Sequence, residues 1–153
     1  MNALPTMQNL CLRGVVVEEF CPLCNLSSES TSHALIHCEF SAKVWSNWTE
    51  RPIKLLDSIF DISDIALELL NFGTVQDLEV LFSTAWFIWY NGNQVIHEAN
   101  FSPALRIWES AQRLVQDFIN VNSNSPLHIF PSQPGWTTPS CGLFKVNVDG
   151  ATS

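Results

Sequence analysis

The chain has 153 residues, 46% hydrophobic and 14% charged, with a formal net charge of −8. That length and hydrophobicity suit a folded domain with a real core and exclude a disordered chain. Seven Lys plus Arg against fifteen Asp plus Glu, with no basic run, exclude a broad cationic footprint for nucleic acid. Six Trp and ten Phe imply either a well-filled core or a surface that expects a partner.

Residues 1–20 read as an irregular lead-in. They lack a basic start followed by an apolar run, so no signal peptide is expected. The most apolar stretch, residues 78–90, is interrupted by Glu79, Ser83 and Thr84 and is too short to span a bilayer. A soluble intracellular protein with no membrane partner is the expectation. Gly14 precedes Val15, Val16 and Val17, a run that suits a short strand or an extended arm on the following loop.

Residues 21–48 carry the most informative pattern. Cys21, Cys24, His33 and Cys38 fall as C-x2-C-x8-H-x4-C. Thiolate sulfur and imidazole nitrogen are the donors of a tetrahedral Zn2+, and four protein ligands make a closed structural site. The first pair shares one tight turn, with Pro22 fixing a backbone angle. Nothing around it resembles the βαβ unit of a redox pair. Four candidate ligands clustered in a short stretch fit zinc in a reducing compartment better than a disulfide framework. Thr31 or Ser32 can cap a helix that carries His33 onward. Regular helix geometry pairs His33 with His37, because residues five apart point away from each other. A tightened or frayed first turn would admit Cys38 instead. Ile36, Phe40, Val44 and Trp48 recur every four residues as a packing face, and Pro52 marks the stop.

The order Leu12-Arg13-Gly14, then Cys-Pro-Leu-Cys at 21–24, then Glu29-Ser30-x-x-His33, then His37-Cys38 with Trp45 seven residues on, resembles the zinc-binding domain of plant non-LTR retrotransposon reverse transcriptases. The resemblance implies that Cys38 is the fourth ligand. It also implies an origin in a polyprotein, where this domain follows the polymerase and often precedes a ribonuclease H-like domain.

Three more helices are predicted. Residues 61–71 place Ile62, Ile65, Ala66 and Leu69 on one face, with Asp61 or Ser63 as cap and Gly73 at the exit in a positive-φ conformation. Residues 75–99 open on Thr74 with Asp77 at the third position, a capping-box variant. Leu78, Leu81, Phe82, Ala85 and Trp89 form one stripe. Trp86, Phe87 and Ile88 carry the apolar surface most of the way round, which predicts a helix buried among others. Gly92 suggests a kink or break. In the plant family a W-x-x-W stretch here is followed by Arg-Asn; this chain has Gly92 in the arginine position. Residues 103–120 are capped by Ser102, begin on Pro103, and face inward through Ala104, Trp108, Ala111, Val115 and Phe118.

Residues 122–142 are a linker by composition, rich in Pro, Gly, Ser and Asn. Residues 143–149 alternate as a strand ending in Asp149-Gly150-Ala151. That strand resembles the first strand of a ribonuclease H-like domain, and the resemblance implies that Asp149 is one of several carboxylates holding two Mg2+ ions. One carboxylate does not build a two-metal site, so Asp149 is expected to be inactive and the tail exposed.

The expected fold is mainly α: a small zinc-nucleated domain of about four helices with a short C-terminal β-strand tail. The expected units are 10–50 for zinc binding, 51–121 as helical connector, 122–142 as linker and 143–153 as truncated strand. The expected function is a non-catalytic zinc-binding module with RNA or DNA as candidate partner, alongside neighbouring reverse transcriptase or ribonuclease H domains. An RNA–DNA hybrid ribonuclease and a protein-interaction domain are the alternatives.

Overall fold

The computed structural model describes residues 4–52 and 61–124. The described residues contain six helical segments: α1 (Met7–Leu12), a π-helical turn (His33–His37), α2 (Glu39–Trp45), α3 (Ile62–Phe72), α4 (Val75–Glu98) and α5 (Ala104–Asn124). No strand forms among them; an isolated antiparallel bridge joins Phe20 to Ser28. The mainly helical expectation holds. Residues 122–124, expected to begin the linker, instead continue α5; the rest of the expected linker and the C-terminal strand, with Asp149, lie outside the described residues.

The helices start where the sequence supplies caps. Asp61 accepts the amides of Ser63 and Asp64 while Asp64 accepts that of Asp61, a reciprocal box that opens α3. Thr74 and Asp77 do the same for α4. Gly73 ends α3 at φ −103°, ψ −167°, so the expected positive-φ exit does not occur. The lead-in holds α1, capped by Thr6, whose side chain accepts the Asn9 amide. Gly14 takes φ +82° as the chain leaves it, and Val15 and Val16 run exposed rather than pairing as a strand.

Helices α4 and α5 pack along each other, α2 rests on α5, and α3 and the π turn rest on α4. Ile36, Phe40, Val44, Trp45, Trp48, Ile65, Leu69, Val80, Leu81, Ala85, Ile88, Ile107 and Val115 fill one core, which also contains Cys21 and Cys38. The rings of Trp45, Trp48 and Trp108 follow one another at 6.2 Å spacings through it. The predicted faces of α2 and α3 are the buried ones. Helix α4 departs from expectation twice. It runs unbroken through Gly92, and it is not buried all round: Phe82, Trp86 and Tyr90 are exposed. Phe118 of α5 is also exposed, and Ile107 takes an inward place instead. Both helices lie at the edge of the packing, with one face in contact and one in solvent. No described helix is long and apolar enough to cross a membrane.

Candidate metal centre

The cluster is built from two backbone devices. The first is the turn at residues 21–27. The Asn25 amide donates to the Cys21 carbonyl at 2.8 Å, Asn25 takes φ +55°, and the Cys21 amide donates to Ser27 at 2.8 Å. Asparagine is among the few side chains that tolerate this left-handed region. The Leu26 amide meets Cys24 Sγ at 3.5 Å. The loop therefore turns both sulfurs to one side.

The second device is a break in the helix that carries His33. Ser30, not Thr31 or Ser32, caps it: its hydroxyl accepts the His33 amide at 3.1 Å, and its carbonyl accepts that of Ala34 at 2.9 Å. The helix then widens, and the Cys38 amide donates to the His33 carbonyl at 2.7 Å, five residues back. Cys38 itself is extended, at φ −60°, ψ 137°, and opens α2. A π turn brings residues five apart much closer to one face than an α-turn does. The resolution of the His33–Cys38 spacing is thus a widened turn, where a tightened or frayed one was expected.

Widening the turn leaves carbonyls without regular helical partners, and side chains take them. Ser41 Oγ donates to the Ala34 carbonyl at 2.6 Å, and Trp45 Nε1 donates to that of Leu35 at 2.8 Å. Both side chains are buried, so these bonds complete the hydrogen bonding where water does not reach. α2 ends at Trp45, well before Pro52. Asn47 Nδ2 takes the Lys43 and Val44 carbonyls, and Ser46 Oγ also takes that of Lys43. Short polar side chains that bond nearby backbone offer an alternative to continuing the helix.

The result brings Cys21, Cys24, His33 and Cys38 together, with their donor atoms all within 4.8 Å of one another. Cys21 Sγ and Cys38 Sγ are 3.8 Å apart, and Cys24 Sγ lies 3.3 Å from His33 Nε2. A disulfide needs sulfurs about 2.05 Å apart, so the cysteines are thiols. A tetrahedral ion with metal–sulfur bonds of about 2.3 Å and a metal–nitrogen bond of about 2.0 Å separates sulfurs by about 3.8 Å and sulfur from nitrogen by about 3.5 Å. The cluster fits a structural Zn2+. His37, the competing ligand on a regular helix, is exposed on the outside of the turn.

The electrostatics suit a cation. The hydrogen bond from Cys21 holds the Cys38 thiol down, to about 5, with the amides of Phe40 and Ser41 adding to the effect against burial. The same bond, with burial, pushes Cys21 above the ordinary thiol range. The pair therefore holds one thiolate at neutral pH and surrenders its remaining proton when a metal binds.

Glu29 is the residue here whose role sequence reasoning missed. It is 4% exposed, and its Oε2 accepts the Met7 amide at 2.8 Å while its carbonyl accepts that of Gln8. Burial pushes its carboxyl up. It pins α1 to the metal loop. No signal in the sequence marks it, because its burial comes from α1 packing over the loop. Cys11 stands apart from the cluster, its Sγ bonded to the Val17 carbonyl at 3.3 Å.

Comparison with protein families matches residues 1–45 to a family described as zinc-binding in reverse transcriptase. The matched span holds α1, all four cluster residues and Trp45. No curated protein and no solved structure matches the chain.

Proposed function

We propose that Cys21, Cys24, His33 and Cys38 ligate one structural Zn2+, and that the chain is a non-catalytic module of the reverse-transcriptase zinc-binding kind whose partner is nucleic acid. The observation that carries the metal assignment is the convergence of four donor atoms within 4.8 Å, two pairs of them, Cys21–Cys38 at 3.8 Å and Cys24–His33 at 3.3 Å, near the spacing of a tetrahedral ion. A closed four-ligand site leaves no open position for substrate, so its work is architectural. Cys21 and Cys38 belong to the same core as Val80, Ile88 and Val115, which gives the ion influence over α4 and α5 as well as over its own loop.

The match over residues 1–45 supports an association with reverse transcriptase, which makes a polymerase the neighbouring domain of this reading. Hybrid cleavage has only the resemblance around Asp149 behind it, and Asp149 lies outside the described residues. A hydrolytic role is therefore not proposed. A protein-interaction role is favoured by one observation, the exposed apolar side chains of α3, α4 and α5.

The test measures zinc per chain and the helical signal before and after a strong chelator. The proposal expects one zinc per chain and loss of cooperative structure on its removal. A chain that carries no zinc, or melts identically without it, overturns the metal assignment. Salt-dependent retention on single-stranded DNA or RNA tests the partner.

A further inference from the structure

A cavity of about 170 Å³, apolar over most of its wall but bordered by several polar side chains, lies where the C-terminal half of α4 meets the start of α5. Asn91 lines it and is only 2% exposed. Its Oδ1 accepts the Ser102 amide at 2.9 Å, which fixes the amide's orientation. Its Nδ2 is then a buried donor with no partner. Leaving such a group unpaired is costly, and in native proteins it commonly marks a ligand or water position. Arg106 lines the same cavity and forms no ion pair among the described residues, and no acidic residue stands in the first turn of α5. First-turn amides lack partners within their own helix, so donors and positive charge converge here.

Two neighbouring features extend the site. Arg113 lies seven residues along α5 from Arg106, so both share a face, and it lines a shallower hollow that shares Phe87 and Ser110 with the cavity. Asp117 also borders that hollow and offsets part of its charge. On α4, the rings of Trp86 and Tyr90 stack at 5.4 Å and 14°, roughly half exposed, with Tyr90 on the cavity wall.

From this juxtaposition we infer that the α4–α5 face binds single-stranded nucleic acid, with a backbone phosphate at Asn91 and Arg106 and a base stacked on the Trp86–Tyr90 pair. The inference rests on the nucleic-acid reading above and locates it away from the zinc loop. A phosphate accepts hydrogen bonds from a guanidinium, an amide N–H and a helix N-terminus alike. An aromatic face takes any base, so binding tolerates sequence. The net charge of −8 opposes association overall, which predicts weak affinity with a shallow salt dependence, about 0.7 in log–log slope for each phosphate contacted.

The test uses the zinc-loaded full chain, a labelled oligo-dT and a labelled single-stranded RNA, read by anisotropy at several salt concentrations. Trp86→Ala is expected to weaken binding about 5- to 100-fold. Arg106→Gln is expected to lower the log–log salt slope by about 0.7. Lys43→Gln, on remote α2, is expected to leave both unchanged. Zinc content and helical signal confirm that each variant folds. Inorganic phosphate is expected to compete at far higher concentration than the oligonucleotide. If the parent chain binds and both site variants match it, this face is wrong and the nucleic-acid partner stands. If the parent chain binds phosphate or polyglutamate but no oligonucleotide, both readings fall, and the cavity serves a free anion or an acidic peptide.

Discussion

The Cys38 amide donates to the His33 carbonyl at 2.7 Å, and these are also the two residues that close the metal cluster. One hydrogen bond thus sets the width of the turn and the approach of two side chains. The x4 spacing between them requires it: on a regular α-helix, residues five apart point well away from each other. The widened turn exposes the Ala34 and Leu35 carbonyls, and Ser41 and Trp45 are spaced to reach them. The tryptophan seven residues after Cys38 is therefore part of the metal site's scaffold without touching the metal.

The first prediction separates the two candidates for fourth ligand. Cys38→Ala is expected to lose stoichiometric zinc, because a three-ligand site remains. His37→Ala is expected to keep it, since His37 faces solvent. Zinc per chain by elemental analysis reads both. Retention in Cys38→Ala together with loss in His37→Ala would reverse the assignment.

Acid should release the ion in a defined direction. The folded-state value of Cys38 is lowered from 9.0 to about 5, first by the hydrogen bond from Cys21. A thiol lowered on folding contributes stability that is fully present above its unfolded value and lost as pH falls through the folded one. Cys21 is raised, so its contribution is present below about 9.0 and fades only in alkali. Zinc binding adds to the preference for thiolate at both. Zinc is expected to stay bound at pH 7, with release steepening as pH falls through about 5. A chromogenic chelator across a pH series checks this, and a release midpoint above 7 would contradict it.

Trp45→Phe tests the scaffold. The substitution keeps an aromatic ring in the core and removes the indole N–H, leaving the buried Leu35 carbonyl without its donor. Loss of one partner of a buried hydrogen bond costs about 1–3 kcal/mol. The urea midpoint of the zinc-loaded protein should fall accordingly, with zinc content retained at neutral pH. An unchanged midpoint would mean that the carbonyl finds another donor.

Much of this was legible before the fold. The donors Cys21, Cys24 and His33, the caps at Asp61 and Thr74, and the buried faces of α2 and α3 follow from residue types and spacing; Cys38 came from the family resemblance, since regular helix geometry favoured His37. The π turn was not legible, because an i to i+5 hydrogen bond leaves no periodic signature over five residues. The exposure of Trp86 and Phe118 was missed because apolar content does not say how many neighbours a helix finds. Glu29 was missed because charge predicts solvent, and its burial depends on α1, which has no apolar period to announce it.

Gly92 carries the last prediction. Glycine in a helix interior suggested a break, yet α4 is continuous from Val75 to Glu98. The surrounding packing holds the helix: Asn91 accepts the Ser102 amide, and Leu23 of the metal loop lies against the glycine. A Cβ built at Gly92 meets only Leu23 Cδ1, at 3.9 Å, an ordinary contact. Gly92→Ala therefore removes backbone freedom from the unfolded chain and adds a contact, and should stabilise by about 0.5–1 kcal/mol. For a chain of this size that raises Tm by about 1–4 °C. Gly73→Ala should do the reverse, since its Cβ would stand 2.9 Å from the Leu69 carbonyl oxygen and 3.0 Å from Leu69 Cδ2. Thermal melts of the two zinc-loaded variants, measured beside the parent, should shift in opposite directions. A lower Tm for Gly92→Ala would mean that Leu23 and the metal loop sit closer to α4 than 3.9 Å allows.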